Sequence, residues 1–202
     1  MVSYINEDPD VICSVVNVGK KRYVESFGSQ YFLIDMDFST PVSLIECGFL
    51  AKSGTPAPFG TWENTAAAKA VALDTYNGGR FSLGGNLAAL NAGITTNTYY
   101  YFEYKNGKVY VNGNYVQDKA SNTSTLTKMG VFCVLIGTNP NYFMSPQKVY
   151  RLHMVAGNEI DLVPFIHDDN GTKKNGMLDL VSGTFYQNAG SGSFTISETP
   201  AS

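Results

Sequence analysis

The chain has 202 residues, a formal net charge of -3, 15% charged and 13% aromatic residues. Ordinary soluble domains carry roughly 25% charged residues, and a sparse, slightly acidic set offers no basic field to displace counterions from phosphates, which excludes general nucleic-acid binding. No stretch approaches the roughly 18 apolar residues of a membrane-spanning helix, so no membrane partner is expected.

Residues 1–19 mix polar and apolar side chains, with Pro9 interrupting any regular element, and are expected to form an arm. They lack the basic start and unbroken apolar core of a secretory signal, which predicts synthesis in the cytoplasm without export by the general route. From residue 20 the pattern changes to short runs of Tyr, Phe, Val and Ile punctuated by Gly, Asn and Pro. One domain over residues 20–197, followed by a short tail at 198–202, is expected because β-sandwiches of about 200 residues commonly form a single unit. Such a chain buries roughly 70% of its unfolded surface and needs neither disulfide nor metal. Cys13, Cys47 and Cys133 share no metal-ligand spacing and are expected as buried free thiols. No cofactor is expected.

Strands are expected at residues 22–27, 30–38, 43–52, 70–76, 98–105, 108–111, 115–117, 130–137, 148–155 and 159–166, with short pieces at 177–180, 184–186 and 193–196. Asn106-Gly107 and Asn112-Gly113-Asn114 supply positive-φ residues between β-forming runs, which predicts a three-stranded meander. Residues 65–72, TAAAKAVA, alone have a helix-forming composition. Strands without alternating helices argue for an all-β, two-sheet antiparallel β-sandwich, and the run VFCVLIG at 131–137 suits a strand buried between its layers.

The last third reads KVYRLHMV, a Gly-Asn turn, EIDLVPFI, a polar turn DDNGTKKNG, and then GMLDLVSGTFYQNAGSGSF. Its Gly176, Asp179, Gly183, Phe185, Tyr186, Asn188, Gly190, Gly192 and Phe194 are spaced as Gly-x-x-Asp-x-x-x-Gly-x-Phe-Tyr-x-Asn followed by a Gly/Ser turn and a final Phe. An opening segment holds Tyr23, Ser26, Gly28, Gln30 and Tyr31, and FGTW at 59–62 and VYVNG at 109–113 lie between. This ordered set resembles concanavalin A-like, LamG-like jelly-roll domains of phage structural proteins and gut-bacterial surface proteins, over about residues 21–196. The resemblance implies a jelly roll. In physical terms Asp179 can accept bonds from turn amides, Gly183 can take a positive φ, and Phe185 and Phe194 are expected to plug the core.

Chemistry is thinly signalled. Glu159, Asp161 and residue 163 fall on one strand face, as the carboxylates of laminarinase-type hydrolases do, but residue 163 is Val and the third carboxylate is missing. His153 and His167 are the only histidines, and no nucleophile elbow accompanies them. Asp168-Asp169-Asn170-Gly171 lacks calcium-loop spacing and is expected as a hairpin turn. No catalytic or metal residue is expected. Trp62, in the loop-like stretch SGTPAPFGTWEN beside Glu63 and Asn64, is the candidate carbohydrate contact: an indole can stack on a sugar while its neighbours bond hydroxyls. Its other role is to close one end of the core. The run Tyr99, Tyr100, Tyr101 and Tyr104 suits cross-strand packing.

The resemblance and the absent leader together predict a non-enzymatic bacteriophage virion protein on the particle surface, as a capsid decoration, head fibre or tail component. Its partners would be other virion proteins, joined through the arm, and host or mucus carbohydrate, with self-association left open. A bacterial surface carbohydrate-binding or adhesion module is the alternative, and a glycoside hydrolase the third.

Overall fold

The computed structural model describes residues 20–63, 69–137, 139–142 and 144–200. The arm at 1–19, Cys13, Asn64 and residues 65–68 lie outside the described residues. Eighteen strands, β1 to β18 in chain order, and a single 3-10 turn at Tyr76–Gly78 make up the regular structure among them. The larger sheet runs β10 (Asn114–Asp118), β9 (Lys108–Val111), β8 (Tyr99–Lys105), β3 (Leu44–Ala51), β14 (Gln147–Val155), β15 (Glu159–Asp169), β16 (Thr172–Asp179) and β17 (Phe185–Tyr186). Within it β1 (Lys20–Ser26) pairs both with the first half of β14 and with β18 (Thr195–Pro200), so strand pairing continues into the residues expected as a tail. The smaller sheet runs β13 (Asn139–Tyr142), β12 (Val134–Ile136), β4 (Phe59–Trp62), β5 (Ala70–Asp74), β6 (Arg80–Gly85) and β7 (Ala88–Ala89). There β11 (Lys128–Val131) links β4 to β2 (Phe32–Asp35). All pairings are antiparallel except that of β12 with β4. The protein is a two-sheet β-sandwich.

Alternation decides which side chains enter the core. Along β8, Tyr100, Phe102 and Tyr104 are buried, whereas Tyr99, Tyr101 and Glu103 are half-buried on the opposite face. Between the sheets lie Phe32, Phe49, Phe59, Phe81, Phe102, Phe132 and Phe194, all fully buried, and each such ring contributes roughly 1.5–3 kcal/mol of transfer free energy. Cys47 and Cys133 are buried free thiols as expected, and burial raises both, Cys133 to about 12. The meander also forms as expected, with Asn106, Gly107, Asn112 and Gly113 all at positive φ.

Three expectations need correction. Residues 131–137 are not one strand: Phe132 takes φ 70, the chain reverses, and β11 and β12 meet the same strand β4 in opposite senses. An unbroken apolar run hid the break, because both halves and the reversal itself are buried. Residues 70–72 carried two expectations, a strand over 70–76 and a helix-forming composition over 65–72; the strand is the one that forms, as β5, where every residue is buried between β4 and β6. Polar residues 168–176 are mostly ladder, since Asn170 and Gly171 alone turn the chain and β15 pairs β16 up to Asp169↔Thr172.

The two segments that carry the resemblance bind each other. Asn188 Oδ1 accepts the Tyr31 N–H at 3.1 Å, and the Ala189 N–H donates to the Tyr31 carbonyl at 2.9 Å. A Cβ on Gly190 would collide with the Ser29 carbonyl and the Tyr31 ring, so the two loops approach as closely as only glycine allows. Phe194 then enters the core and stacks on Phe32 at 4.3 Å between centroids. Phe185 does not plug the core. Strand β17 turns it to the outer face of the larger sheet, half-buried against Phe165 and His167. Phe194→Ala is expected to destabilise the fold by about 3–5 kcal/mol, seen as a lower urea midpoint at unchanged slope; a change within about 0.5 kcal/mol, the range of ordinary surface substitutions, would contradict the closing role.

Candidate functional site

Each strand of the larger sheet has one face against the core, so its alternate residues form a continuous outer face. The register aligns Asp161, His153, Glu46, Glu103, Tyr110 and Tyr115 in one row across β15, β14, β3, β8, β9 and β10. Flanking positions add Tyr99, Tyr101, Arg151 and Glu159. Few elements separated so widely in sequence could be brought together by any local pattern.

The half of this row nearest β15 is locked by charge. Arg151 meets Asp161 in a two-pronged pair, Nε–Oδ1 at 2.7 Å and Nη2–Oδ2 at 2.8 Å, the fork geometry that makes such pairs strong. His153 lies between two carboxylates, with Nδ1 3.2 Å from Glu46 Oε2 and Nε2 2.9 Å from Glu159 Oε1. Burial pushes the Tyr99 phenol up to about 12, helped by its neighbours Cys47 and Tyr150. Tyr101 is raised too, first by burial, then by the charge of Glu46 and its hydrogen bond to that residue. A sheet face carrying this many mutually paired groups is rigid.

The other half is open. An open groove of about 500 Å³, within the usual range for ligand sites, is lined by Glu103, Lys105, Asn106, Lys108, Tyr110 and Gly113. Beside it Tyr115 is 55% exposed, its ring edge-on to Tyr110 at 5.9 Å between centroids. Lys108 Nζ stands 5.8 Å from the Tyr115 centroid. Aromatic ring and polar groups thus share one concave surface, an arrangement that can hold an amphipathic ligand such as a sugar.

The structure places the sequence-derived candidates elsewhere. Trp62 ends strand β4 instead of standing in a loop, because Phe59 and Thr61 face inward and Gly60 fits tightly against Ala72 and Val134. The indole is half-buried on a small cluster of Ala57, Ala72 and Val134, and its Nε1 has no hydrogen-bond acceptor among the described residues. Glu63 is half-buried, its N–H donating to the Lys69 carbonyl, and Asn64 lies outside the described residues. Glu159 and Asp161 share a face as alternation requires, and the third carboxylate there, Glu46, comes from β3. Tyr100 and Tyr104 pack in the core, while Tyr99 and Tyr101 face outward. Asp168 accepts the Gly171 N–H at 2.7 Å, as a hairpin turn requires. Among the described residues no group of three or more His, Cys, Asp or Glu is placed to hold a metal ion, and no helix is long and apolar enough to cross a membrane. The groove residues carried one sequence signal, two Asn-Gly turns bounding a tyrosine-bearing strand, which marks a hairpin and says nothing of a site.

An unfolded tyrosine ionises near about 10, so the folded Tyr99 and Tyr101 phenols keep their protons longer than the unfolded chain does. Their contribution to stability is full below about pH 10 and declines as pH rises toward the Tyr99 value of about 12. In an ultraviolet phenolate titration Tyr99→Phe is expected to remove a step near that value; removal of an ordinary step near about 10 instead would contradict the packing described. No family model, curated protein or solved structure matches the chain, and the chemistry of this face is what bears on its role.

Proposed function

We propose that the protein is a non-enzymatic bacteriophage virion protein, displayed on the particle surface, that binds host or mucus carbohydrate in the groove over β8, β9 and β10. The groove itself carries the binding part of this reading: Tyr110 and Tyr115 offer apolar ring surface, and Glu103 and Asn106 supply an acceptor-rich rim for hydroxyls. A non-enzymatic role is supported by Asp161, whose two oxygens are both held by Arg151, which leaves it unable to attack or protonate a glycosidic bond as one of a carboxyl pair. The virion setting rests on the resemblance to concanavalin A-like jelly rolls, an analogy of fold. It is supported by the mutual contacts of the two segments that carry that resemblance.

A second location has one observation in its favour. Trp62 Nε1 is buried without an acceptor among the described residues, and a ligand that reached it would give it one. A glycan array separates the two: Tyr110→Ala with Tyr115→Ala is expected to lower binding at least about tenfold while Trp62→Ala retains it. Loss with Trp62→Ala alone would move the site to the smaller sheet, and no binding by the folded domain would leave a joining role only. For the arm, deletion of residues 1–19 is expected to give a folded domain that fails to join particles in an assembly assay. Normal incorporation would refute the anchor.

A further inference from the structure

We infer that the groove is built for an acidic glycan, with one carboxylate or sulfate of the ligand held between Lys105 and Lys108; this rests on the carbohydrate reading above and names its ligand class. The two lysines are direct cross-strand partners, and both are exposed groove residues. The two-residue turn between them, with Asn106 at φ 53 and Gly107 at φ 76, fixes this opposition. Side chains so opposed leave Cβ atoms only about 5 Å apart, and like charges there destabilise the pair.

Several other cations of this sheet and its margin meet a carboxylate. Arg151 meets Asp161 and Glu46, Lys52 pairs with Glu25, and Lys174 lies 2.7 Å from Asp169. Among the described residues no carboxylate lies within ion-pair distance of Lys105 or Lys108. Asp118 is the direct cross-strand partner of Lys108 from β10 and offsets part of its charge, which leaves Lys105 the less compensated of the two. The Lys119 N–H fastens the end of β10 to the turn by donating to the Gly107 carbonyl at 2.8 Å. In a chain of net charge -3 two directly opposed lysines run against the overall sign. A ligand anion at the turn would relieve the repulsion.

The same geometry orients the ligand. Glu103 stands two residues along β8 on the same face, so that end of the groove repels a second anion and accepts hydroxyl protons. The ligand's acid therefore sits at the Asn106–Gly107 end, and its neutral ring lies on Tyr110.

The test compares lactose-terminated chains with the same chains capped by sialic acid or by sulfate. The capped chains are expected to bind at least about tenfold more tightly, and the joint change Lys105→Gln with Lys108→Gln is expected to bring them to the uncapped level. Because repulsion is removed, the urea midpoint of that double variant should not fall, which separates lost binding from lost folding. Sodium sulfate titrated into the full chain at constant ionic strength, followed by backbone amide NMR, provides a separate anion probe. Equal binding of capped and uncapped chains, or a preference that survives the double substitution, would overturn the acidic site and leave the carbohydrate reading standing. Shifts of the Gly107 and Lys108 amides with inorganic sulfate, absent in the double variant, would support the anion site even if no array glycan bound, and the carbohydrate reading would then fail alone. Absence of both responses would remove both.

Discussion

The fold depends on a buried carboxylate, Asp179, placed where β16 ends. Its two oxygens accept the Asp161 N–H at 2.8 Å, the Val181 N–H at 3.1 Å, and both the N–H and hydroxyl of Ser182, at 3.3 and 2.6 Å. Only 1% of the residue is exposed, so these bonds are formed out of water, where an unmet amide costs about 1–3 kcal/mol. The tight turn that results has Gly183 at φ 71 and sends β17 back along β16. Asn188 and Gly190 then reach the opening loop, and Phe194 reaches the core. One side chain thus couples a local turn to the closure of a ring of contacts spanning the whole domain.

The two sheets use their outer faces differently. On the smaller sheet Gly60, Ala72 and Val134 pack into a second apolar cluster with Trp62, so that face is partly buried. On the larger sheet the outer face is polar and half-exposed, and it is ordered by ion pairs instead of hydrophobic contact. Exposed ion pairs contribute little to stability individually, about 0–1 kcal/mol. Their effect here is positional, because Arg151 and His153 each bridge side chains from different strands and so hold the platform beside the groove in one arrangement.

The groove has a different character because the meander is an edge. Among the described residues strand β10 has a neighbour on one side only, and β9 and β10 are short, so Tyr115 and the two lysines are exposed there. Charge imbalance and exposed ring surface coincide at this edge, which is the physical basis for placing ligand binding there.

The strand-rich class, the meander and the closing turn were legible in the amino-acid sequence because each has a local cause. Asn-Gly pairs need positive φ, alternation of Tyr with Phe and Val marks two faces, and an Asp four residues before a Gly suits an amide-lined turn. What local chemistry could not specify was long-range register. The row from Asp161 to Tyr115 joins six strands, and a shift of one residue in any of them would put the opposite face outward. For that reason Trp62 looked like a loop residue although it ends β4 and packs on Ala57, Ala72 and Val134, and the meeting of Glu46 from β3 with Glu159 at His153 was not visible. Strand β6 escaped notice because RFSLGG mixes apolar residues with glycines, and pairing with β5 alone makes it regular. Sequence by itself determined the elements and the residues that turn them; the tertiary structure decided which side chains share a surface, since that depends on pairing between segments distant in the chain.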